Sequence, residues 1–216
     1  MIQESVYLHY LSALLEGDKK ECLQIVQHLV NSNVQLKEIY MDLFQRSMYR
    51  IGQMWEKERC SIADEHIATK ITESLIEYVS GFYNSEKREG KLVLVTCIDK
   101  EFHELGARMV AGYFESAGWD TIFAGSNVPE EDVLKLIYEK KPDVVGLSSS
   151  FYINVNRLIR LVRAIKQNFP GQEILIGGQA LANEHAELIS EYAGVSYITC
   201  INGLQEYLSS RKANNN

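Results

Sequence analysis

The hydrophobic patterning of this chain changes character at a charged joint, residues 84–90, Asn-Ser-Glu-Lys-Arg-Glu-Gly. Before the joint there is no proline; Pro129, Pro142 and Pro170 all lie after it. Before it, apolar residues recur every three or four positions, which is the signature of amphipathic helices. Val6, Tyr10, Leu11, Leu14 and Leu15 mark a first helix, stopped by Gly17, and Asp18 is placed to cap the second. Cys22, Val26 and Leu29, with Leu23 and Val30, line that second helix, and Asn31-Ser32-Asn33 breaks it. Leu36, Ile39, Tyr40, Leu43, Phe44 and Met48 mark a third. Ser61 and Asp64 resemble a capping box for a fourth, whose inward face is expected to carry Ala63, Ile67, Ile71, Ser74 and Tyr78. Short connections between four helices predict a compact four-helix bundle over residues 1–84.

After the joint the period alternates between two and 3.6. Strands are expected at 91–97, 120–124, 143–148, 173–177 and 195–199. Helices are expected near 104–117, 130–141, 154–168, 182–192 and 203–210. Pro129 followed by Glu130, Glu131 and Asp132 is a strong helix start, because the fixed φ and the acidic first turn both suit it. Five βα units predict a doubly wound parallel sheet over 91–212, with fraying from Lys212 to Asn216. The fold class is therefore all-α followed by α/β.

A formal net charge of −7 argues against direct nucleic-acid binding, which needs a basic surface to meet phosphates. Cys22, Cys60, Cys97 and Cys200 are far apart, so neither a zinc site nor a disulfide framework is suggested, and reduced thiols in the cytoplasm are expected. Met1-Ile2-Gln3-Glu4 lacks a basic leader, and no apolar run is long enough to span a bilayer.

The chemistry concentrates at the expected ends of strands. Residues 99–106, Asp-Lys-Glu-Phe-His-Glu-Leu-Gly, place His103 where the first strand gives way to a helix, with Glu101 two residues before it and Gly106 three after. Ligands of open α/β sheets bind at this edge. An imidazole there reaches a metal through one nitrogen while a carboxylate holds the other. A packed or solvated histidine satisfies the same local pattern equally well. The third strand ends in Ser148-Ser149-Ser150, where hydroxyls at alternate positions, Ser148 and Ser150, share a face. A serine-rich turn is the plainer account of it. Gly177-Gly178 ends the fourth strand and either opens a slot beside the sheet or makes a tight turn. No GxGxxG follows the first strand and no GxxxxGK[ST] occurs, which removes the common nucleotide sites. A phosphoacceptor receiver would need an aspartate where the third strand here ends in serine.

Together, Glu101-x-His103-x-x-Gly106, Ser148-x-Ser150 and Gly177-Gly178 resemble the signature of cobalamin-binding domains, across residues 91–210. That resemblance implies a flavodoxin-like, Rossmann-like five-stranded fold. It implies that His103 is the lower ligand of cobalt, replacing the nucleotide's own base, and that Glu101 orients it. Ser148 and Ser150 would hydrogen-bond the displaced base, and Gly177 and Gly178 would make room for the tail. Asn127 and Val128 look like contacts at the corrin edge. Many family members carry aspartate where this chain has Glu101.

In the helical half, Trp55 is followed after nine residues by Glu65 and His66. Each has a plainer explanation, a bundle plug and a solvated helix face. Trp-x9-Glu-His ahead of a cobalamin domain is similar to the cap of B12-dependent photoreceptor regulators, in which the bundle covers the upper face of adenosylcobalamin. Where some of those regulators place a histidine directly after the tryptophan, this chain has Glu56. Their helix-turn-helix domain has no counterpart in these residues. The resemblance thus implies a non-enzymatic sensory module with no catalytic residues of its own. It would respond to light through adenosylcobalamin, with methylcobalamin or hydroxocobalamin as alternatives. It would signal through a protein partner or self-association, without nucleic acid or membrane contact. The rival is a corrinoid carrier of a methyltransferase system, which also pairs a bundle with this sheet. A ligand-free interaction module is the third reading.

Overall fold

The computed structural model describes residues 2–85, 87–181, 185–189 and 191–213. These fall into two compact units that divide after Asn84. The first is helical: α1 (Glu4–Leu15), α2 (Lys19–Asn31), a continuous helical stretch over 36–56, and α5 (Ile62–Tyr83). The stretch over 36–56 begins as α3 (Leu36–Glu38), passes through a π-helical segment (Ile39–Gln45) and ends as α4 (Arg46–Glu56). Its sequence explains the π segment. The buried rows Ile39, Leu43, Ser47, Ile51 and Leu36, Tyr40, Phe44 recur at a spacing of four, wider than the 3.6 of an α-helix. Underwinding keeps both rows inward. In consequence Ser47 and Ile51 are fully buried, while Met48 is only half-buried.

The breaks between helices follow their local chemistry. Gly17 adopts φ +71°, and Asp18 accepts a hydrogen bond from the Glu21 N–H at 2.9 Å. Ser61 and Asp64 form a reciprocal capping box at the start of α5. The buried face of α5 shares only Ile71 with the one expected. The helix buries Ala68, Ile71, Thr72, Leu75, Ile76 and Val79. Ala63 and Ile67 are exposed, and Ser74 and Tyr78 are half-buried. The Leu75/Ile76/Val79 cluster carries more apolar area than the Ala63/Ile67/Ser74 row and decides which face turns in.

The second unit is a five-stranded, all-parallel sheet of order β2-β1-β3-β4-β5. The strands are β1 (Leu92–Cys97), β2 (Asp120–Gly125), β3 (Val144–Ser148), β4 (Glu173–Gly177) and β5 (Val195–Tyr197). The helices are α6 (Leu105–Ser116), α7 (Glu130–Lys140), α8 (Val155–Asn168) and α9 (Ile201–Ala213). Strand alternation splits the core in two. Val93, Val95 and Cys97 pack with Ala107, Ala111 and Phe114 of α6 and Leu204 and Leu208 of α9. Leu94 and Ile98 pack on the other face with Val133 and Ile137 of α7 and Leu158, Val162 and Ile165 of α8. Both faces are covered, as a parallel sheet requires.

Two expected segments differ. In place of a helix over 182–192 the described residues form a short 3-10 turn, His185–Ile189, while 182–184 and 190 lie outside the described residues. The final helix starts at Ile201 and runs to Ala213, so Lys212 is helical rather than frayed; 214–216 lie outside the described residues. No helix among the described residues is long and apolar enough to cross a membrane.

Candidate functional site

In the order β2-β1-β3 the chain leaves β1 toward one edge and returns to start β3 on the other side of it. The loops after β1 and β3 therefore diverge, and the crevice between them is where an open sheet takes ligands. His103 sits there, on the loop from β1 to α6. Its Nδ1 lies 2.8 Å from Glu101 Oε1, and its backbone N–H donates to the same oxygen at 3.0 Å. Glu101 Oε2 accepts the Ser150 N–H, at the end of β3, at 2.7 Å. The carboxylate is fully buried and the imidazole is 58% exposed, so the pair has a fixed inner member and a presented outer one.

Burial by itself would raise the Glu101 carboxyl. The hydrogen bonds from the His103 ring, the Ser150 N–H and the His103 N–H, with the His103 charge, outweigh it and bring the group down to about 2. Glu101 is thus ionised and accepts from the ring at Nδ1, which turns Nε2 toward the crevice as the atom available to a ligand. The stability consequence has a definite sign. The folded value lies below the ordinary 4.5, so this contribution is complete above about pH 5 and is lost as pH falls toward 2. Glu101→Gln is expected to flatten that acid limb when urea denaturation is followed against pH. An unchanged limb would locate the acid sensitivity elsewhere.

The loop itself is braced. Lys100 takes φ +64° and Asn127 takes φ +54°. Asn127 Oδ1 accepts from the Lys100 N–H at 2.9 Å, and the Asn127 N–H donates to the Glu101 carbonyl at 2.8 Å. Asn127 is therefore a strut under the loop. Val128 donates its N–H to the Cys97 carbonyl at 3.3 Å and packs on the core below α7 and α8. The Cys97 thiol, pushed up to about 12 by burial and then by the Glu101 charge, stays protonated and contacts the His103 carbonyl at 3.7 Å.

Ser148, the last residue of β3, is level with Cys97 on β1 and Gly177 on β4. Ser150 serves Glu101 through its backbone. The residue between them, Ser149, is fully buried, and its hydroxyl has no hydrogen-bond partner among the described residues. Gly178 takes φ +92°, and a Cβ there would stand 2.1 Å from the Ser149 carbonyl oxygen. At Gly177 a Cβ would meet nothing nearer than the Ile198 carbonyl oxygen at 4.0 Å, and at Gly106 nothing within 4 Å. Bare backbone at Gly178 is required by the fold, whereas at Gly177 and Gly106 it leaves open space.

Sequence reasoning passed over Ser149, Phe151, Asn154 and Arg157. Phe151 packs edge-to-face on the His103 ring, with centroids 4.7 Å apart. Asn154 Nδ2 donates to the Lys100 carbonyl at 3.3 Å, and Arg157 pairs with Asp99 at 2.5 Å. These partners lie some fifty residues from the loop they hold, and no local pattern announces them.

In the helical unit, Trp55 ends α4 with 48% of its surface exposed. Glu65 accepts from the Thr69 hydroxyl at 2.9 Å, and one of its oxygens lies 3.6 Å from His66 Nε2. His66 lines a shallow surface depression with Gly17, Lys19, Ile67, Lys70 and Ile71.

Residues 91–205 match the B12 binding domain family, and residues 9–80 match a second family that is also described as a B12 binding domain. The chain belongs to the B12-binding family. It is a cobalamin-binding protein. It is similar to the HTH-type transcriptional repressor CarH of Myxococcus xanthus, at 25% identity over 138 residues, 63% of this chain and 45% of the repressor. The chain thus spans under half the length of that relative. It is 18% identical over 192 residues to trimethylamine corrinoid protein 1 of Methanosarcina acetivorans, covering 87% of this chain and 89% of that one. Among solved structures, the monomethylamine corrinoid protein of Methanosarcina barkeri superposes with a TM-score of 0.81 at 13% identity, covering 97% of this chain and 100% of that one. The bundle-plus-parallel-sheet fold read from the sequence is the fold of that protein.

The residues present fit a corrinoid. The crevice offers one imidazole backed by a buried carboxylate, with no cluster of three ligating side chains among the described residues, which suits a metal whose remaining ligands would be brought by a macrocycle. The orphan Ser149 hydroxyl and the open backbone at Gly177 suit a polar appendage held beside the sheet.

Proposed function

We propose that this cobalamin-binding protein is a corrinoid carrier of a methyltransferase system. One observation carries the reading. The carriers among its relatives correspond to this chain nearly end to end, 87% against 89% for the trimethylamine corrinoid protein, whereas the repressor is matched over 45% of its length. Bound cobalamin would supply a cobalt centre able to hold and release a methyl group. The chain's own residues do the rest. His103 Nε2 would meet the cobalt from below, and Glu101 keeps the ring in the tautomer that can do so. Gly106 leaves the start of α6 open, Gly177 and Gly178 accommodate the tail, and Ser148 and Ser150 flank it. Asn127 and Val128 hold the neighbouring loop. The proposed division is a cap over 1–84 and a cobalamin domain over 91–212, with an acceptor enzyme as partner.

The second reading is a light-responsive sensory module. It is favoured by Trp55, Glu65 and His66 at the spacing of the photoreceptor cap and by the likeness to the repressor. In it, Trp55, Glu65 and His66 read the upper ligand, and loss of that ligand shifts the population between two states. One preparation separates the two. Protein carrying methylcobalamin is expected to transfer its methyl group to an added thiol acceptor, leaving the cobalt reduced by two electrons, when a candidate thiol-directed methyltransferase is supplied. Protein carrying adenosylcobalamin is expected to show the same sizing-column elution before and after green light. A light-dependent change in elution, with no methyl transfer, would reverse the order.

A further inference from the structure

We propose that Phe151 is a positioning residue for the His103 imidazole and sets the direction in which its Nε2 points. The inference rests on the cobalamin reading of the crevice and adds a residue to it. The hydrogen bond from Nδ1 to Glu101 acts along one edge of the ring, in its plane, and a contact on the ring itself adds resistance to tilting out of that plane. The Phe151 ring meets the imidazole at an interplanar angle of 82° with centroids 4.7 Å apart, an edge-to-face arrangement that opposes tilting. Phe151 is 51% exposed, so core burial alone does not account for an aromatic at this place.

Phe151 is itself held on both sides. Its predecessor, Ser150, donates to Glu101 Oε2, and the Asn154 N–H donates to the Phe151 carbonyl at 3.0 Å. Asn154 then grips the Lys100 carbonyl, and Arg157 grips Asp99. The turn from β3 into α8 thus clasps the histidine loop at Glu101, His103, Lys100 and Asp99, and Phe151 is the part of the clasp that touches the ring. Rotation of the ring is set from β3 as well as from its own loop.

The test compares Phe151→Ala, Phe151→Leu and Phe151→Tyr with the wild type, after thermal melts show that each is folded. Ring nitrogen-15 shifts of His103 in the ligand-free protein report its tautomer. The wild type and Phe151→Tyr are expected to keep the proton on Nδ1. Phe151→Ala and Phe151→Leu are expected to move toward a mixed tautomer as the ring swings off Glu101. After loading with hydroxocobalamin, the ratio of histidine-ligated to unligated cobalt, read from the absorption spectrum, is expected to fall about 2- to 10-fold in the same two variants. Wild-type ring shifts in Phe151→Ala would overturn the role of Phe151. A wild-type protein that binds no cobalamin would overturn the functional reading instead, and the ring shifts would still decide the positioning.

Discussion

His103→Ala is expected to abolish the histidine-ligated spectrum of the cobalamin-loaded protein and to weaken retention of the corrinoid by more than about 100-fold, the upper end of what loss of an outer-shell partner costs. The fold should survive. The side chain is more than half exposed, and Glu101 keeps the Ser150 N–H and the backbone N–H of residue 103. The ligand-free protein should lose only about 1–2 kcal/mol, the cost of removing one hydrogen bond to a buried carboxylate. The two effects are read separately, by urea denaturation without ligand and by absorption after desalting with ligand. Added imidazole should restore part of the ligated spectrum by filling the vacated place. An unchanged spectrum in the alanine variant would remove His103 from the cobalt and with it the central assignment.

The second large effect lies at the glycine pair. Gly178→Ala should destabilise the ligand-free protein by at least about 3 kcal/mol, because strained φ and overlap with the Ser149 carbonyl act together. Gly177→Ala should change stability by less than about 1 kcal/mol, since nothing stands within contact of the added carbon. Its effect should be on ligand: the added methyl enters the open space proposed above for the cobalamin tail, and affinity should fall while the denaturation midpoint holds. Equal loss of stability in both variants would show that the open space at Gly177 is not real, and unchanged affinity in Gly177→Ala would move the tail elsewhere.

The second unit was largely legible because a parallel sheet writes two clear signals, buried β-branched runs such as Leu92–Cys97 and helix starts such as Pro129-Glu130-Glu131. Those signals are local. The β5 region was less so: at Val195–Tyr197 three residues suffice for pairing, and before them Leu181, Leu188, Ile189 and Tyr192 recur at helical spacing where a short 3-10 turn, His185–Ile189, stands. In the bundle, the number of helices could be read, but the faces could not all be read. An apolar row at spacing four fits an α-helix and an underwound one over two turns, and only packing over 36–56 separates them. At α5 the row Ile67, Ile71, Ser74 and Tyr78 suggested one stripe; Ile71 does turn in, and around it the heavier row Ala68, Thr72, Leu75, Ile76 and Val79 prevailed. At the site, Glu101 and His103 were visible because they are two residues apart. Ser149 carries no such mark, because alternation along β3 singles out Ser148 and Ser150 instead. Phe151, Asn154 and Arg157 act across the sheet, and a single sequence carries no mark of such distant partners.

The placement of β3 beside β1 has a consequence for how the crevice comes into being. Ser150 reaches Glu101 across 49 residues of chain, Asn154 reaches Lys100 across 54, and Arg157 reaches Asp99 across 58. Each bond closes a long loop, whose entropy is met only when the intervening strand and helices are already in place. The clasp therefore belongs to the cooperative whole: the Ser150 amide is expected to exchange with solvent only when the β1–β3 pairing opens, and in a nascent chain Glu101 has no such partner until β3 and the start of α8 have docked.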